Sequence, residues 1–188
     1  MANTLDSHIL NIKNVLSEEL CSSILEEYEN SEVWVQATVG SDATVDKSVR
    51  SLRTASISEK SVVEKNPVVR SSIDSSLFEA AGKAMKEYSS VFPHCRLSED
   101  CGYSLLRYGI GEYYKEHVDA SSSIPRTLSC SFGISDEYEG GEFSFFDRSL
   151  TLRLNKGDAL LFPSNFMYPH QILPVTKGVR HSVVTWFI

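Results

Sequence analysis

The sequence lacks the features that mark secreted, membrane-spanning or disulfide-rich proteins. Its first residues contain no basic segment followed by an apolar run. The apolar runs are only a few residues long, well short of the ~20 residues that cross a bilayer. None of the four cysteines forms a C-x-x-C pair: Cys21, Cys95, Cys101 and Cys130. We therefore expect free thiols, a cytoplasmic location and no membrane partner.

Positive charge is also scarce in this chain. Lysine and arginine number 18 against 25 aspartate and glutamate residues, which gives a formal net charge of -7. Such a chain offers no broad cationic surface for phosphate groups, although it could still carry a local basic patch. We therefore expect no nucleic-acid partner.

The sequence does contain enough apolar material for one core. Of its 188 residues, 41% are hydrophobic, which is typical of a single domain spanning 1–188. Helix patterns fall mainly within 1–100 and short β patterns mainly within 101–188. No repeat of fixed period is present. These patterns predict a mainly β fold with flanking helices.

Two amphipathic helices are predicted in the first half. Ser17 is suited to cap the first one, whose apolar face would be formed by Leu20, Ile24, Leu25 and Tyr28. The second is expected from Ser75 to Tyr88, with Pro93 ending the pattern. Its apolar face would be formed by Leu77, Phe78, Ala81, Met85 and Tyr88.

The second half consists of short β-type runs separated by turn residues. Glycine and proline punctuate these runs at roughly regular intervals, as a sandwich or barrel requires. The pattern predicts a jelly roll with these strands: Tyr103 to Tyr108, Thr127 to Ser135, Glu142 to Phe146, Thr151 to Leu154, Asp158 to Phe162 and Arg180 to Phe187.

One polar segment in the first half stands apart from these elements. It runs from Thr38 to Ser51 and contains glycine, serine and aspartate with few large apolar residues. Such composition predicts a long mobile loop, which could be either a functional element or a linker.

A metal site is suggested by His117-Val118-Asp119. On an extended segment the two polar side chains project to the same face and can bind one ion. Two imidazoles and one carboxylate form a facial triad that leaves three positions on Fe(II) for a bidentate co-substrate and O2. His170 is the candidate third ligand because it begins the last β segment. An H-x-D pair alone is also common as a surface pair.

Arg180 strengthens the case for a co-substrate site. It lies ten residues after His170, and Ser182, Val184 and Trp186 follow it at the same strand parity. These four side chains should therefore share one face. The planar guanidinium of Arg180 suits a carboxylate, and Ser182 could add a further hydrogen bond. The alternative is a solvated arginine on a strand whose tryptophan is ordinary core.

The sequence resembles the prolyl 4-hydroxylase branch of the 2-oxoglutarate oxygenases over nearly its whole length. The resemblance implies a double-stranded β-helix, which is a cupin-like jelly roll. The residues that carry it are Tyr108, Gly111 and Tyr114 before His117-Val118-Asp119, then Gly140-Gly141-Glu142-Phe143 with Phe145, Gly157-Asp158, Leu161-Phe162, the run from His170 to Arg180, and Trp186-Phe187.

The resemblance also implies roles for individual residues. It assigns His117, Asp119 and His170 to iron and Arg180 to the distal carboxylate of 2-oxoglutarate. The site-lining residues it implies are Tyr108 toward the co-substrate, Arg126 near the substrate and Trp186 as a pocket wall. A structural Tyr108 and a core Trp186 are alternatives of equal weight. The family often has an aromatic hydroxyl on the strand after Arg126, whereas this chain has Ser131-Phe132-Gly133.

By the same resemblance, the chain is expected to be a dioxygenase that uses Fe(II), 2-oxoglutarate and O2 and releases succinate and CO2. Ascorbate is a further reductant compatible with it, and no catalytic residue beyond the metal centre is required. The carboxylate of Asp119 favours hydroxylation over halogenation. Trp186 occupies a position where nucleic-acid demethylases carry a second arginine.

The expected substrate is a prolyl residue in a peptide or protein. By analogy with related prolyl hydroxylases, the segment from Thr38 to Ser51 would act as a lid over that peptide. Hydroxylation of a free amino acid or another small molecule is the alternative. A non-catalytic jelly-roll binding module is a third hypothesis, which 2-oxoglutarate turnover would exclude.

Overall fold

The computed structural model describes residues 4–39, 44–123 and 125–188. Its strands form two larger antiparallel sheets and a separate two-stranded sheet. A short 3-10 helix (Leu5–His8) precedes three α-helices, which are α1 (Glu18–Tyr28), α2 (Lys60–Val63) and α3 (Pro67–Val91).

The larger sheet has seven strands and the smaller one has five. The larger comprises β1 (Leu10–Ile12), β2 (Val35–Gln36), β4 (Arg53–Ser56), β5 (Ser104–Tyr108), β7 (Leu128–Gly133), β11 (Ala159–Pro163) and β14 (Arg180–Phe187), in the order β1-β11-β7-β14-β5-β4-β2. The smaller comprises β3 (Arg50–Ser51), β6 (Tyr113–His117), β9 (Phe143–Phe145), β10 (Leu150–Leu152) and β12 (His170–Ile172), in the order β10-β9-β12-β6-β3. The two-stranded sheet pairs β8 (Tyr138–Gly140) with β13 (Val175–Gly178).

Two apolar cores hold the layers together. One lies between the sheets and includes Tyr108, Phe145 and Phe162. The other lies between the larger sheet and helices α1 and α3, and includes Ile24 and Leu77. The arrangement is a jelly roll flanked by helices, so the predicted fold class is confirmed.

Helix α1 begins where the sequence predicted. Ser17 has an extended backbone and its side chain accepts a hydrogen bond from the amide of Leu20, which satisfies a free donor of the first turn. Ile24 and Tyr28 are fully buried against the larger sheet. The predicted cap and apolar face are both confirmed.

Helix α3 differs from its prediction at its start and on its apolar face. It begins at Pro67, whose fixed φ suits the first turn, rather than at Ser75. The first turns of α3 were missed because they contain polar residues such as Arg70. In the structure Arg70 is buried and forms an ion pair with Glu27 of α1. Phe78 was placed on the apolar face, but it is 64% exposed. That assignment was wrong because Leu77 faces the core, and its neighbour lies about 100° further round the helix.

The strand predictions held best in the second half. Residues Arg180–Phe187 form β14 as expected, whereas His170 begins the separate short strand β12 rather than the last β segment. Strands β1 and β4 in the first half also join the larger sheet, although they were not predicted.

The segment from Thr38 to Ser51 is more structured than a mobile loop in its described part. Val39 and Thr44 form a β-bridge, and Arg50–Ser51 is strand β3 of the smaller sheet. Gly40, Ser41 and Asp42, on which the loop prediction relied, lie outside the described residues. Its action as a lid stays a prediction.

Candidate active site

The three predicted metal ligands lie together at one end of the space between the sheets. His117 is the last residue of β6 and His170 the first of β12, and the two are register partners. Asp119 follows β6 by two residues, with Oδ1 3.5 Å from Nε2 of His117 and Oδ2 3.7 Å from Nε2 of His170. One ligand atom from each residue fits within 4.8 Å of the others. The structure therefore brings together the constellation that the H-x-D pattern and the distant histidine suggested.

Both imidazoles are fixed in the form that binds a metal through Nε2. Nδ1 of His117 lies 2.8 Å from the carbonyl oxygen of Lys115, and Nδ1 of His170 lies 3.2 Å from that of Tyr168. A carbonyl only accepts, so each Nδ1 must carry the proton and each Nε2 keeps its lone pair. The second hydrogen bond of a ligating histidine orients the ring in this way.

The Asp119 carboxylate is held by neighbours on β7 and in the following loop. The hydroxyl of Ser129 donates to its Oδ2 at 2.6 Å and also lies 2.8 Å from the hydroxyl of Ser164. Nη1 of Arg126 donates to its backbone oxygen at 3.1 Å. The Ser129 hydroxyl thus holds the carboxylate directly, while Ser164 contacts Ser129 and Arg126 holds the Asp119 backbone.

Protonation favours metal binding at neutral pH. Burial alone would raise the pKa of the Asp119 carboxyl, but the imidazoles and the Ser129 hydroxyl outweigh burial and hold that pKa well below its ordinary value. Burial lowers the pKa of His170 to about 4, so this ring is neutral at pH 7. A carboxylate and a neutral imidazole are the forms that ligate metals.

A pocket extends from the ligands along the face of β14. The predicted same-face set is confirmed, because four alternate side chains of β14 line it: Arg180, Ser182, Val184 and Trp186. The rest of the wall includes Tyr108 of β5, Tyr114 of β6, Ser129 and Ser131 of β7, Phe143 of β9 and Phe162 of β11.

Arg180 is the most unusual residue of this pocket. It is 1% exposed, and its Nη1 donates to the hydroxyl of Ser182 at 2.9 Å. Its Nη2 is buried without a hydrogen-bond partner, and no carboxylate of the described residues lies within ion-pair distance of it. A buried arginine stays charged and is costly without an anion. The pocket is therefore chemically prepared for an anionic ligand, as an acidic co-substrate requires.

Tyr108 lies directly beside Arg180. The two residues are register partners on β5 and β14, and the guanidinium carbon lies 5.0 Å from the centre of the phenol ring. Burial raises the pKa of Tyr108, so its hydroxyl stays protonated and can donate a hydrogen bond. Its place on the pocket wall supports the predicted co-substrate role, since the hydroxyl lies near the same guanidinium.

Arg126 and Trp186 form a second pair nearer the metal ligands. The guanidinium carbon of Arg126 lies 3.4 Å from the centre of a ring of Trp186, which is a stacked cation–π contact. Trp186 is only partly buried and lines the pocket, so it is a wall rather than ordinary core. A role for either residue toward a substrate stays a prediction.

Arg50 and Ser131 were missed as site residues. Arg50 reaches the pocket from β3, 67 positions before His117, because β3 pairs with β6 and sets Arg50 opposite Tyr114. Ser131 carries a buried hydroxyl with no partner on the pocket wall. Its alternation with Ser129 on a predicted strand could have revealed it, whereas no local pattern marks Arg50.

Comparisons with known proteins agree with this site. The family model of the 2OG-Fe(II) oxygenase superfamily matches residues 103–188. A PKHD-type hydroxylase of Janthinobacterium sp. (strain Marseille) is 31% identical over 192 aligned positions, covering 95% of this chain and 77% of that relative. A PKHD-type hydroxylase of Idiomarina loihiensis is 38% identical over 89 residues, but the match covers only 44% of this chain and 40% of that relative.

The fold is also found among solved structures. A prolyl hydroxylase of Trichoplax adhaerens, in complex with a peptide fragment of the oxygen degradation domain of hypoxia inducible factor, superposes with a TM-score of 0.79 at 14% identity. The superposition covers 96% of this chain and 83% of that one. Among the described residues, no helix is long and apolar enough to span a bilayer. From its sequence relatives, the chain belongs to the 2OG-Fe(II) oxygenase superfamily, oxidoreductases that use Fe(II), 2-oxoglutarate and O2.

Proposed function

We propose that this chain hydroxylates prolyl residues in a peptide or protein as an Fe(II)- and 2-oxoglutarate-dependent dioxygenase. The observation that carries the dioxygenase part is the buried Arg180, whose guanidinium has no carboxylate partner among the described residues and shares a pocket with two histidines and one aspartate. A metal site and an anion site in one pocket fit a co-substrate that must bind both.

His117, Asp119 and His170 are the residues that would hold Fe(II). The donor set of two neutral nitrogens and one carboxylate oxygen fits this metal and leaves positions for other ligands. When bound, Fe(II) and 2-oxoglutarate would supply, together with O2, an oxidant for an unactivated C–H bond, with one oxygen atom of O2 going to succinate, which forms with CO2, and the other to the new hydroxyl group. Ascorbate is a reductant to include in assays of such a site.

Arg180 would bind the distal carboxylate of 2-oxoglutarate. Its unpartnered Nη2 and the Nη1 already oriented by Ser182 offer two charge-assisted donors. The protonated hydroxyl of Tyr108 would add a third donor from β5. Arg180, Ser182 and Tyr108 would together hold the co-substrate in the pocket that also contains the metal ligands.

The substrate would lie across the open end of the pocket, beside Trp186 and Arg126. Arg126 is already held by its contacts with Trp186 and with the backbone oxygen of Asp119, so it offers a rigid donor. Such a donor could bind a peptide carbonyl and fix which carbon faces the metal, since positioning decides the site of attack. The Trichoplax protein, which is described with a peptide bound, supports a polypeptide substrate.

The metal assignment is tested by replacing one ligand. Under anaerobic conditions, Fe(II) and 2-oxoglutarate should give the weak visible absorption band of an iron-chelated keto acid. We expect His170→Ala to abolish the band and to weaken metal binding measured by calorimetry, whereas His94→Ala, in an exposed loop, should leave both unchanged. Native-like metal affinity and band in His170→Ala would disprove the third ligand.

The substrate is tested by mass spectrometry. Purified protein with Fe(II), ascorbate and 2-oxoglutarate would be incubated with proline-containing peptides and with host-cell protein, and a gain of one oxygen atom would be located by fragmentation. We expect hydroxyproline within a polypeptide. Oxidation confined to free amino acids or other metabolites would favour the small-molecule alternative, and no 2-oxoglutarate turnover with any candidate would favour a non-catalytic binding module.

A further inference from the structure

Two arginines, Arg50 on the pocket wall and Arg126 stacked on the wall residue Trp186, lack a carboxylate partner among the described residues. Arg50 lies on the face of Tyr114, with its guanidinium carbon 4.6 Å from the ring centre. Its Nη1 donates to the backbone oxygen of Thr38 at 2.9 Å, whereas its buried Nε has no partner in the part of the chain that the structure describes. None of the ion pairs within the described ranges involves Arg50.

Arg126 repeats this arrangement on the neighbouring wall. It covers Trp186, donates from Nη1 to a backbone oxygen, and also has a buried Nε without a partner among the described residues. Burial lowers the pKa of Arg126, Asp119 opposes that shift, and the charge of Arg50 adds to it. Both side chains nevertheless remain charged, as arginine does in proteins.

The charges of the groups in the loaded pocket bear on the role of Arg50 and Arg126. In the loaded pocket, Fe(II) and Arg180 would carry three positive charges, while Asp119 and doubly ionised 2-oxoglutarate would carry three negative charges, and metal-bound imidazoles are neutral. These groups cancel. Within the described residues, Arg50 and Arg126 then remain without a carboxylate partner, in a chain whose formal net charge is -7.

We propose that the substrate carries a carboxylate beside the hydroxylated ring, and that Arg50 and Arg126 bind this carboxylate. The inference rests on the proposed function and specifies its substrate class. The carboxylate could be an aspartate or glutamate side chain next to the proline, or the free α-carboxylate of a terminal or free proline. The two sources share one chemistry and are separated by the experiment.

The geometry of Arg50 suits this role. Its flat face is occupied by Tyr114, and its one hydrogen bond within the described residues uses Nη1. The edge formed by Nε and Nη2 is left for a ligand, and such an edge matches the two oxygens of a carboxylate. Because stacking already restricts the guanidinium, little side-chain freedom is lost when an anion binds.

The test measures binding and turnover with matched peptides. Capped proline peptides would carry alanine, aspartate or lysine next to the proline, and further probes would be a peptide ending in proline as free acid or amide, and free proline. Dissociation constants would be measured by calorimetry with Mn(II) and 2-oxoglutarate under anaerobic conditions. We expect a carboxylate probe to bind about 10-fold or more tightly than its neutral counterpart.

Variants connect the preference to the arginines. Arg50→Gln should reduce the preference for carboxylate severalfold, Arg50→Lys should restore part of it, and Arg50→Glu should favour the lysine peptide. Lys83→Gln, on the exposed face of α3, removes the same charge as a control and should leave the preference intact. Melting temperatures would confirm that each variant is folded.

The outcomes separate this inference from the proposed function. If neutral and amidated peptides bind and are hydroxylated as well as the carboxylate probes, the carboxylate inference is wrong and the prolyl function stands. If only free acids bind and drive succinate formation, and this depends on Arg50, the peptide substrate is wrong and the carboxylate inference stands. Absence of saturable binding by every carboxylate probe, or a preference that survives Arg50→Gln combined with Arg126→Gln, would overturn the inference.

Discussion

The two faces of strand β14 differ in the partners of their buried charged groups. On the reverse face, His181 lies 2.7 Å from Glu29, which also lies 3.4 Å from Arg107. On the pocket face, Arg180 has only the hydroxyl of Ser182 as a partner within the described residues. Alternate side chains of one strand therefore separate a face whose charges are balanced within the protein from a face that requires an external anion.

The comparison shows where stability and ligand binding are located. Val183 and Phe187 on the reverse face belong to the core beneath helices α1 and α3, so their substitution should affect folding. Arg180 and Ser182 contribute polar groups that gain their partner when a ligand binds. Substitutions on the two faces should therefore give opposite patterns of stability and affinity.

The largest expected effect on stability lies on the reverse face. Phe187 is 2% exposed, and Phe187→Ala should lower the free energy of unfolding by about 3–5 kcal/mol through lost burial and an unfilled cavity. Chemical denaturation would measure this. Phe166→Ala removes the same ring at a position that is 81% exposed, and should change stability by less than about 0.5 kcal/mol. Similar losses for both variants would contradict the assigned core.

The largest expected effect on affinity lies on the pocket face. Arg180→Ala should weaken 2-oxoglutarate by about 2–5 kcal/mol, which is roughly 30- to several-thousand-fold, because the ligand carboxylate loses its charged partner. The ligand-free protein should be as stable as wild type or more stable, since an uncompensated buried charge is removed. Calorimetry and thermal melting would measure the two quantities. Unchanged affinity for 2-oxoglutarate, or a large loss of stability, would mean that Arg180 supports the fold rather than binding the ligand.

The stability contributed by the reverse face of β14 should depend on pH. Burial lowers the pKa of His181 and outweighs Glu29, which raises it, while Arg107 and Arg180 add to the lowering. The unfolded chain therefore takes up this proton at a higher pH than the folded protein, so stability contributed here is lost as pH falls below about 6.5, the pKa of an unperturbed histidine. In metal-free protein, the free energy of unfolding of His181→Gln should fall less steeply than that of wild type between pH 7.5 and 5.5, the range in which a histidine of the unfolded chain titrates. Equal slopes for variant and wild type would rule this contribution out.

The smallest expected effect concerns the hydroxyl that orients Arg180. Ser182→Ala should weaken 2-oxoglutarate binding by about 0.5–1.5 kcal/mol, which is roughly 2- to 12-fold, since one hydrogen bond that orients the guanidinium is lost while the guanidinium itself remains. Thr185→Val removes a hydroxyl from the reverse face of the same strand and should leave the affinity unchanged. If both variants weaken the ligand equally, the effect comes from the strand as a whole rather than from its pocket face.

Sequence parity predicted this strand well because alternation is enforced by backbone geometry. The same-face set beginning at Arg180 follows from an extended chain. His117 and Asp119 also meet as predicted, although β6 ends at His117 and Asp119 lies in a bend. Ser17 was likewise identified as a cap because its chemistry acts within one helical turn. Such features need only local information.

Other features depend on contacts distant in sequence. Arg50 enters the pocket through the pairing of β3 with β6, which no local pattern specifies. The early start of α3 depends on Arg70 finding Glu27 on another helix, and the exposure of Phe78 depends on which side of that helix meets the sheet. Strands of two to four residues in the first half gain their stability from neighbours in the larger sheet, so their own sequence is a weak signal.

The carbonyl oxygens of Lys115 and Tyr168 have a consequence for metal selection. Because they hold both imidazole rings ready before any ion arrives, little rearrangement separates the empty protein from the loaded one. A rigid site with two nitrogens and one oxygen follows the Irving–Williams order, so Co(II), Ni(II) and Cu(II) should bind more tightly than Fe(II). The iron content of the purified protein should then reflect the metals it met during expression, and recombinant preparations should regain Fe(II) only after chelation and anaerobic reloading.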